Sequence, residues 1–251
     1  MQTLSYQESG TGPDVVLLHG FLESPAIWKD FIKATKGRFR CVNIRMPNHQ
    51  INEQESYSND LSQQAEILHQ TLLDAEVVSP VIIGHSLGGY LSLAFIEKYP
   101  EFASGIALVN SSCLADTTEQ KQRRTRAINL IERQPNTFIY MAIRNLFVQA
   151  YLEKHSTAID LLINDAKKLP IPAIQASLTA MRERTDTSNA LRDFKGNKIF
   201  IYGKNDPLIP IETSEIAIYK SDCPSIALNA GHMSWLEDKE GLNKALLDFL
   251  K

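Results

Sequence analysis

VIIGHSLGGYLSLAFI, Val81 to Ile96, opens as a short apolar run, breaks at glycines around a serine, and resumes as an apolar segment too long for one strand. The first part suits a strand covered on both faces and the second a helix. Between them Gly84-His85-Ser86-Leu87-Gly88 has the form G-x-S-x-G, which puts a serine on a sharp strand-to-helix turn. The serine of such a turn is held in strained backbone geometry, and side chains two residues before and after it would strike neighbouring backbone, so both positions are glycine.

Outward from this turn, further apolar runs of strand length recur. They are VVLLH (15–19), CVNI (41–44), IALV (106–109), KIFIY (198–202) and SIAL (225–228). Between them lie helical patterns such as Leu61, Ala65, Leu68 and Leu72, which fall on one stripe, and Leu242, Ala245, Leu246, Phe249 and Leu250 near the end of the chain. Alternating strands and helices predict an α/β fold with a mostly parallel sheet flanked by helices and right-handed crossovers. The rhythm fails over 112–189, where no strand pattern occurs and Pro135, Pro170 and Pro172 cut the segment into helix-length pieces. The expectation is a core made of 1–111 and 190–251, with a helical cap, 112–189, inserted between two core strands.

Composition excludes several classes. A chain of 251 residues with 43% apolar content can bury a full core, and a net charge of -3 with mixed acids and bases argues against a polyanion such as nucleic acid. The densest basic stretch, KQRRTR at 121–126, reads as a solvated helix face. No apolar stretch approaches the roughly 20 residues that span a bilayer, and MQTLSYQESG lacks the layout of a signal peptide, so the expectation is a cytoplasmic protein without membrane attachment. Cys41, Cys113 and Cys223 are odd in number and show no C-x-x-C spacing, which gives no case for a disulfide framework or a zinc site. No metal and no cofactor is expected. The oligomeric state is open.

A serine hydroxyl is a weak nucleophile near neutral pH and needs a base, which in turn needs an orienting acid. Of the six histidines, His69 and His155 lie in helical patterns among polar neighbours, and His85 adjoins Ser86 but points elsewhere in a tight turn. His232, in LNAGHMSWLED, follows the last strand through a glycine and is the best base. KIFIYGKNDPLIP delivers Asp206 beyond the preceding strand, with Asp116, after IALV, as the competing acid. Ser86, Asp206 and His232 all fall at the carboxyl ends of strands, where sites of open α/β sheets gather. Attack on an acyl carbon also creates an oxyanion, which needs two preplaced N–H donors. The amide of Leu87 is one. The Phe21 amide, on the HGF loop after VVLL, is the other, with Gly20 permitting the close turn.

LLHGFLES, GHSLGG, YGKNDPLIP and AGHMSWLED together resemble the recurring segments of the α/β-hydrolase family, nearest its small esterase, enol-lactonase and haloperoxidase-like branch. The resemblance implies nucleophile Ser86, acid Asp206, base His232 and oxyanion amides on Phe21 and Leu87. It covers nearly the whole core. NIRMPNHQINEQESYS departs from it, since the loop after the second strand commonly reads D-x-P-G-x-G in the family, and Ser234 and Lys239 replace common prolines. The cap resembles relatives only loosely, through QASLTAMRERTD (175–186). Members that use Asp as nucleophile, the dehalogenases and epoxide hydrolases, are excluded by Ser86, and carbon–carbon hydrolases usually carry Asn where His85 stands.

Hydrolysis of a small-molecule ester, thioester or lactone remains, with a receptor that binds a small ligand with little turnover as the alternative of a different class. Discrimination among acyl groups must come from the cap. FIYMAIRNLFVQAYL is too apolar for a solvated face, and Phe138, Met141, Phe147 and Tyr151 are the candidate pocket residues. A closed apolar pocket there favours small or medium uncharged acyl groups.

Overall fold

The computed structural model describes residues 3–50 and 56–251. Its sheet has seven strands: β1 (Tyr6–Ser9), β2 (Asp14–Leu18), β3 (Arg40–Ile44), β4 (Val81–His85), β5 (Gly105–Val109), β6 (Asn197–Gly203) and β7 (Ser225–Leu228). The spatial order is β1-β3-β2-β4-β5-β6-β7; β1 runs antiparallel to β3, and every other pair is parallel. Six strands lie where the apolar runs predict them. The seventh, β1, was not foreseen, because YQES has all four residues exposed and therefore no burial pattern to betray it.

The continuous apolar runs have a simple cause. Val16, Leu18, Val42, Ile44, Ile82, Ile106, Leu108 and Phe200 join the apolar cluster on one face, while Val15, Leu17, Cys41, Ile83, Ala107, Val109, Ile199 and Ile201 join the cluster on the other. Alternate side chains point to opposite faces, and both faces are covered. The second face is covered by α1 (Lys29–Thr35) and by α12 (Lys239–Phe249), which bring Phe31, Leu242, Ala245 and Leu246. The first face receives α2 (Leu61–Asp74) and α3 (Leu87–Lys98); α2 buries Leu61, Ala65, Leu68 and Leu72 and is capped by Asp60, whose side chain accepts from the Ser62 amide.

Register aligns the carboxyl ends of the strands. Leu18 pairs with Gly84, Gly84 with Leu108, Val109 with Ile201, and Gly203 with Leu228. The residues that follow these strands therefore emerge along one edge of the sheet.

Between β5 and β6 the chain forms α4 (Thr118–Arg133), α5 (Pro135–Arg144), α6 (Gln149–Lys154), α7 (Ser156–Ala166), α8 (Ile171–Glu183) and α9 (Ser188–Asp193), with no strand there. Pro135 opens α5 and Pro172 lies in the first turn of α8, where proline's fixed φ and missing donor are tolerated. A boundary at 189/190 cuts α9, which packs on α3 and α10 (Ile211–Ser221). The excursion closes earlier, at a neck. There the Cys113 carbonyl accepts from the Thr187 amide and hydroxyl, and the buried Asp116 carboxylate binds Arg124 and Arg184. In KQRRTR all but Arg124 are exposed, in keeping with a solvated face. Leu22 and Met233 from the strand-end loops and Leu87 from the start of α3 share one apolar cluster with Ile131, Phe138, Ile139 and Ile143 from the helices and Phe147 from the turn between α5 and α6.

Candidate active site

β4 ends at His85, and the chain turns at Ser86 with φ 49° and ψ -113° before α3 begins at Leu87. Such angles are costly for a non-glycine residue and persist only where the surroundings enforce them. The flanking glycines show what enforces them: a Cβ on Gly84 would lie 2.5 Å from the Gly88 carbonyl, and one on Gly88 would lie 2.5 Å from the Leu18 carbonyl oxygen. The turn is pressed against the end of β2. Ser86 remains partly exposed, and its carbonyl accepts from Ser111 Oγ at 2.8 Å and from the Gly89 and Tyr90 amides.

His232, on the loop after β7, lies with Nε2 2.9 Å from Ser86 Oγ, and its Nδ1 is 2.8 Å from Asp206 Oδ2. Asp206 Oδ1 accepts from the amides of Leu208 and Ile209 at 2.8 and 3.0 Å. Burial pushes the Asp206 carboxyl up, but the charge and hydrogen bond of His232 and these two amides leave it net below the ordinary aspartate value. It is held ionised, an acceptor facing Nδ1, so Nδ1 carries the proton and Nε2 is free to accept from the serine. Asn110, with φ 44° at the end of β5, donates through Nδ2 to Asp206 Oδ2 at 3.1 Å and to the Gly231 carbonyl at 2.9 Å, while its Oδ1 accepts from Ser234 Oγ at 2.5 Å. Glu237 accepts from the Gly231 amide; burial, with the Asp206 charge, raises its carboxyl above the ordinary value against that bond. The competing acid Asp116 is bound by two arginines at the neck, and Asp206 is the acid against His232 Nδ1.

The HGF loop is fixed from below by two histidines. His19 donates from Nδ1 to the Gly20 carbonyl at 2.9 Å and accepts at Nε2 from the Met46 amide at 3.1 Å. His49 donates from Nδ1 to the Pro47 carbonyl and accepts at Nε2 from the amide of Leu22, a residue at φ 61°. Burial lowers both, His49 to about 4 and His19 well below its ordinary value with help from His49. His49 thus occupies the departing loop NIRMPNHQINEQESYS; positions 51–55 of that loop lie outside the described residues. Sequence reasoning assigned no role to His49 or Asn110, because their partners lie 27 and 96 residues away and no local pattern connects them.

The amides of Phe21 and Leu87 make no hydrogen bond among the described residues, and Leu87 stands at the first turn of α3, where amides have no partner within the helix. The four pocket candidates fare differently. Phe138 and Phe147 are buried in the shared apolar cluster, and Tyr151 packs against it partly buried. Met141 is 50% exposed beside the exposed Tyr140, on the face of α5 opposite Phe138, Ile139 and Ile143; it was expected to line a pocket and instead faces outward. A cavity of about 460 Å³ lies between α2, α3 and α8, lined by Tyr90, Leu93, Thr179 and Arg184 among others, and neither the four candidates nor Ser86, Asp206 and His232 line it.

Comparison with known proteins agrees with this architecture. The alpha/beta hydrolase family matches residues 15–245, and the chain belongs to that family. It is 25% identical over 256 residues to a pimeloyl-[acyl-carrier protein] methyl ester esterase of Photobacterium profundum, covering 99% of this chain and 98% of that protein. It is 22% identical over 268 residues to a 2-hydroxy-6-oxononadienedioate/2-hydroxy-6-oxononatrienedioate hydrolase of Escherichia coli, covering 98% and 90%. Among solved structures, a thermophilic esterase from Thermogutta terrifontis aligns with a TM-score of 0.90 at 23% identity over 98% and 92% of the two chains. In fold the chain is also similar to the enol-lactonase of Burkholderia xenovorans LB400, with a TM-score of 0.89 at 16% identity over 98% and 96%. No helix among the described residues is long and apolar enough to cross a membrane.

Proposed function

We propose that the chain is a serine hydrolase that cleaves small or medium uncharged carboxylic esters through an acyl-enzyme on Ser86. The observation that carries this reading is the unbroken line Ser86 Oγ, His232 Nε2, His232 Nδ1, Asp206 Oδ2, at 2.9 and 2.8 Å, on a strained turn. His232 takes the Ser86 proton as Oγ attacks the acyl carbon, and the developing oxyanion is received by the Phe21 and Leu87 amides. The same imidazolium then protonates the leaving alkoxide. Water repeats the sequence on the acyl-enzyme, with His232 again as base. Asp206 keeps the proton on Nδ1 throughout.

The helices α4–α8 serve in this reading as the cap, and Phe138 and Phe147 restrict the acyl group. Esterases among the similar proteins support hydrolysis of an ester. Carbon–carbon hydrolysis is the second reading, raised by the relative named as a 2-hydroxy-6-oxononadienedioate/2-hydroxy-6-oxononatrienedioate hydrolase. Against it, His85 fills the position before the nucleophile with both ring nitrogens already engaged within the protein, at 2.9 Å each.

The test pairs labelling with a substrate panel. A serine-directed phosphonate is expected to leave one adduct on Ser86, and Ser86→Ala is expected to lower kcat by about 10⁴-fold or more while the fold persists. Across p-nitrophenyl acetate, butyrate, octanoate, palmitate and hemisuccinate, kcat/KM should be highest among the first three. An adduct elsewhere, an active Ser86→Ala protein or a preference for palmitate or hemisuccinate overturns the reading. Turnover of a vinylogous 1,5-diketone acid in preference to every ester decides for the carbon–carbon reaction.

A further inference from the structure

The sequence points His85 away from Ser86 and gives Glu23 no role. Both are buried, with side-chain exposures of 1% and 2%, and Glu23 Oε2 lies 2.9 Å from His85 Nδ1. The same oxygen accepts from the Gly20 amide at 2.5 Å, and Oε1 accepts from Trp235 Nε1 at 3.4 Å. On its other side His85 Nε2 lies 2.9 Å from the carbonyl oxygen of His232. With Glu23 ionised, as the two N–H donors on its oxygens favour, each nitrogen of this ring faces an oxygen that can only accept, a carboxylate on one side and a carbonyl on the other. One proton cannot satisfy both contacts, so the ring that fits here is the imidazolium.

The pair joins three loops that the chain brings in from distant places. Gly20 adjoins the Phe21 amide, His85 adjoins Ser86, and the His232 carbonyl belongs to the residue whose ring faces Ser86. A Cβ at Gly20 would lie 2.7 Å from Glu23 Oε2 and 2.9 Å from His85 Nδ1, so the HGF backbone is seated directly on the pair. The titratable groups that face it are His19, His49, Asp206 and His232.

We propose that Glu23 and His85 are positioning residues for ester hydrolysis: as a buried ion pair they hold the Phe21-bearing loop and the His232-bearing loop in register with Ser86. This rests on the Ser86 reading above. Burial alone would push Glu23 up and His85 down; the mutual charge and hydrogen bond outweigh it, leaving Glu23 net below and His85 net above their ordinary values. A buried ion pair is weak as a source of stability but strict in geometry, which suits it to alignment. Removing one partner leaves a buried charge alone, so the near-isosteric variant is the informative one. Glu23→Gln can still accept from the Gly20 amide, and a neutral His85 can still donate from Nε2.

The experiment reads the His85 ring by long-range ¹H–¹⁵N NMR at pH 8 and, beside it, steady-state kinetics and the rate of Ser86 phosphonylation. Both His85 nitrogens are expected to be protonated in the wild type, and one to be unprotonated in Glu23→Gln. Glu23→Ala is expected to lower kcat and the phosphonylation rate together by about 10- to 100-fold, with KM changed by less than about threefold, because misplacement of about 1 Å at reacting groups costs that much. Glu23→Gln should recover to within about tenfold of wild type. An unprotonated His85 nitrogen in the wild type overturns the proposal. So does a folded Glu23→Ala protein with wild-type kcat and phosphonylation rate, or a Glu23→Gln protein in which His85 stays doubly protonated. If Glu23→Ala does not fold, the Glu23→Gln spectra and rates decide alone. The NMR arm is independent of turnover, so an adduct away from Ser86 would remove the acyl-enzyme reading while leaving the protonation state of the pair to be judged separately.

Discussion

At the carboxyl end of the sheet, Ser86, His232, Asp206 and Asn110 are joined by directed bonds of 2.9, 2.8 and 3.1 Å, each closing a gap between loops far apart in sequence. In α4–α8 the inward positions are mostly apolar, among them Ile131, Ile139, Ile143, Ile159 and Ile174, and the ion pairs made by a buried carboxylate sit at the neck around Asp116. Directed bonds fix atoms to fractions of an ångström, whereas apolar packing fixes volume and tolerates exchange of shape. On the proposed reading, the difference separates where reaction type is written from where substrate choice is. The first region admits one arrangement, and the second can be repacked without touching it.

The hardest test of that division sets two buried aspartates against each other. Asp206→Asn is expected to lower kcat by about 10³- to 10⁴-fold with the fold intact, since the amide would favour the wrong His232 tautomer. Asp116→Asn is expected to do the reverse, costing about 3 kcal/mol of stability by leaving its arginines unpaired while kcat stays within about threefold. Thermal unfolding and ester kinetics on the two variants measure both, and an inactive but stable Asp116→Asn protein breaks the comparison.

A smaller effect comes from the neutral histidines beneath the HGF loop. His49 is pushed down to about 4 from 6.5 by burial, and His19 also lies well below 6.5. The folded state keeps them unprotonated, whereas the unfolded chain takes up protons near 6.5. Their stabilisation is therefore complete above pH 6.5 and declines as pH falls toward 4, by about 3 kcal/mol for His49. His85, raised in the fold, contributes fully below 6.5 and loses its contribution only at higher pH, while Glu23 and Asp206, lowered, begin to lose theirs only near 4.5 and below. Between pH 4.5 and 6.5 the fully buried His19 and His49 carry most of the decline, the partly buried His69 and His155, also lowered by burial, add to it, and Glu237, raised by burial, opposes it. Denaturation of His49→Gln across that window should show a shallower decline than wild type; an unchanged slope refutes the assignment.

The smallest effects sharpen the cap side. Phe147→Ala is expected to shift the relative kcat/KM of acetate, butyrate and octanoate esters by about tenfold. Met141→Ala, on the exposed face of α5, should move it by less than about twofold. Equal effects from both would mean that burial in α4–α8 has no bearing on acyl selection.

The same division explains what could be read from sequence. Ile82, Ile83, Leu17 and Leu18 announce strands because both sheet faces are covered, and Gly84 and Gly88 announce the turn because backbone excludes any Cβ there. Ser86, Asp206 and His232 were each legible as strand-end residues. Glu23, His49 and Asn110 were not, because their meaning lies in which strand ends adjoin, and that is set by the sheet order. Glu23 left one trace, an acid three residues after Gly20 in an otherwise apolar loop. In α5 the apolar residues exceed one stripe, so sequence could not separate Met141 from Phe138; only the packing of the other helices selects the buried side.

The neck gives the insertion a property of a different kind. Cys113 and Thr187 lie 74 positions apart yet share hydrogen bonds, so everything between them is a loop whose ends are already tied. The entropy of tying such a loop grows only logarithmically, about 0.6 kcal/mol for each doubling of its length. A shorter or longer insertion grafted between those two points meets almost the same entropic penalty as the native one. The core is thereby insulated, thermodynamically, from the size of what it carries, and insertions can be exchanged as cassettes without re-evolving the sheet beneath them.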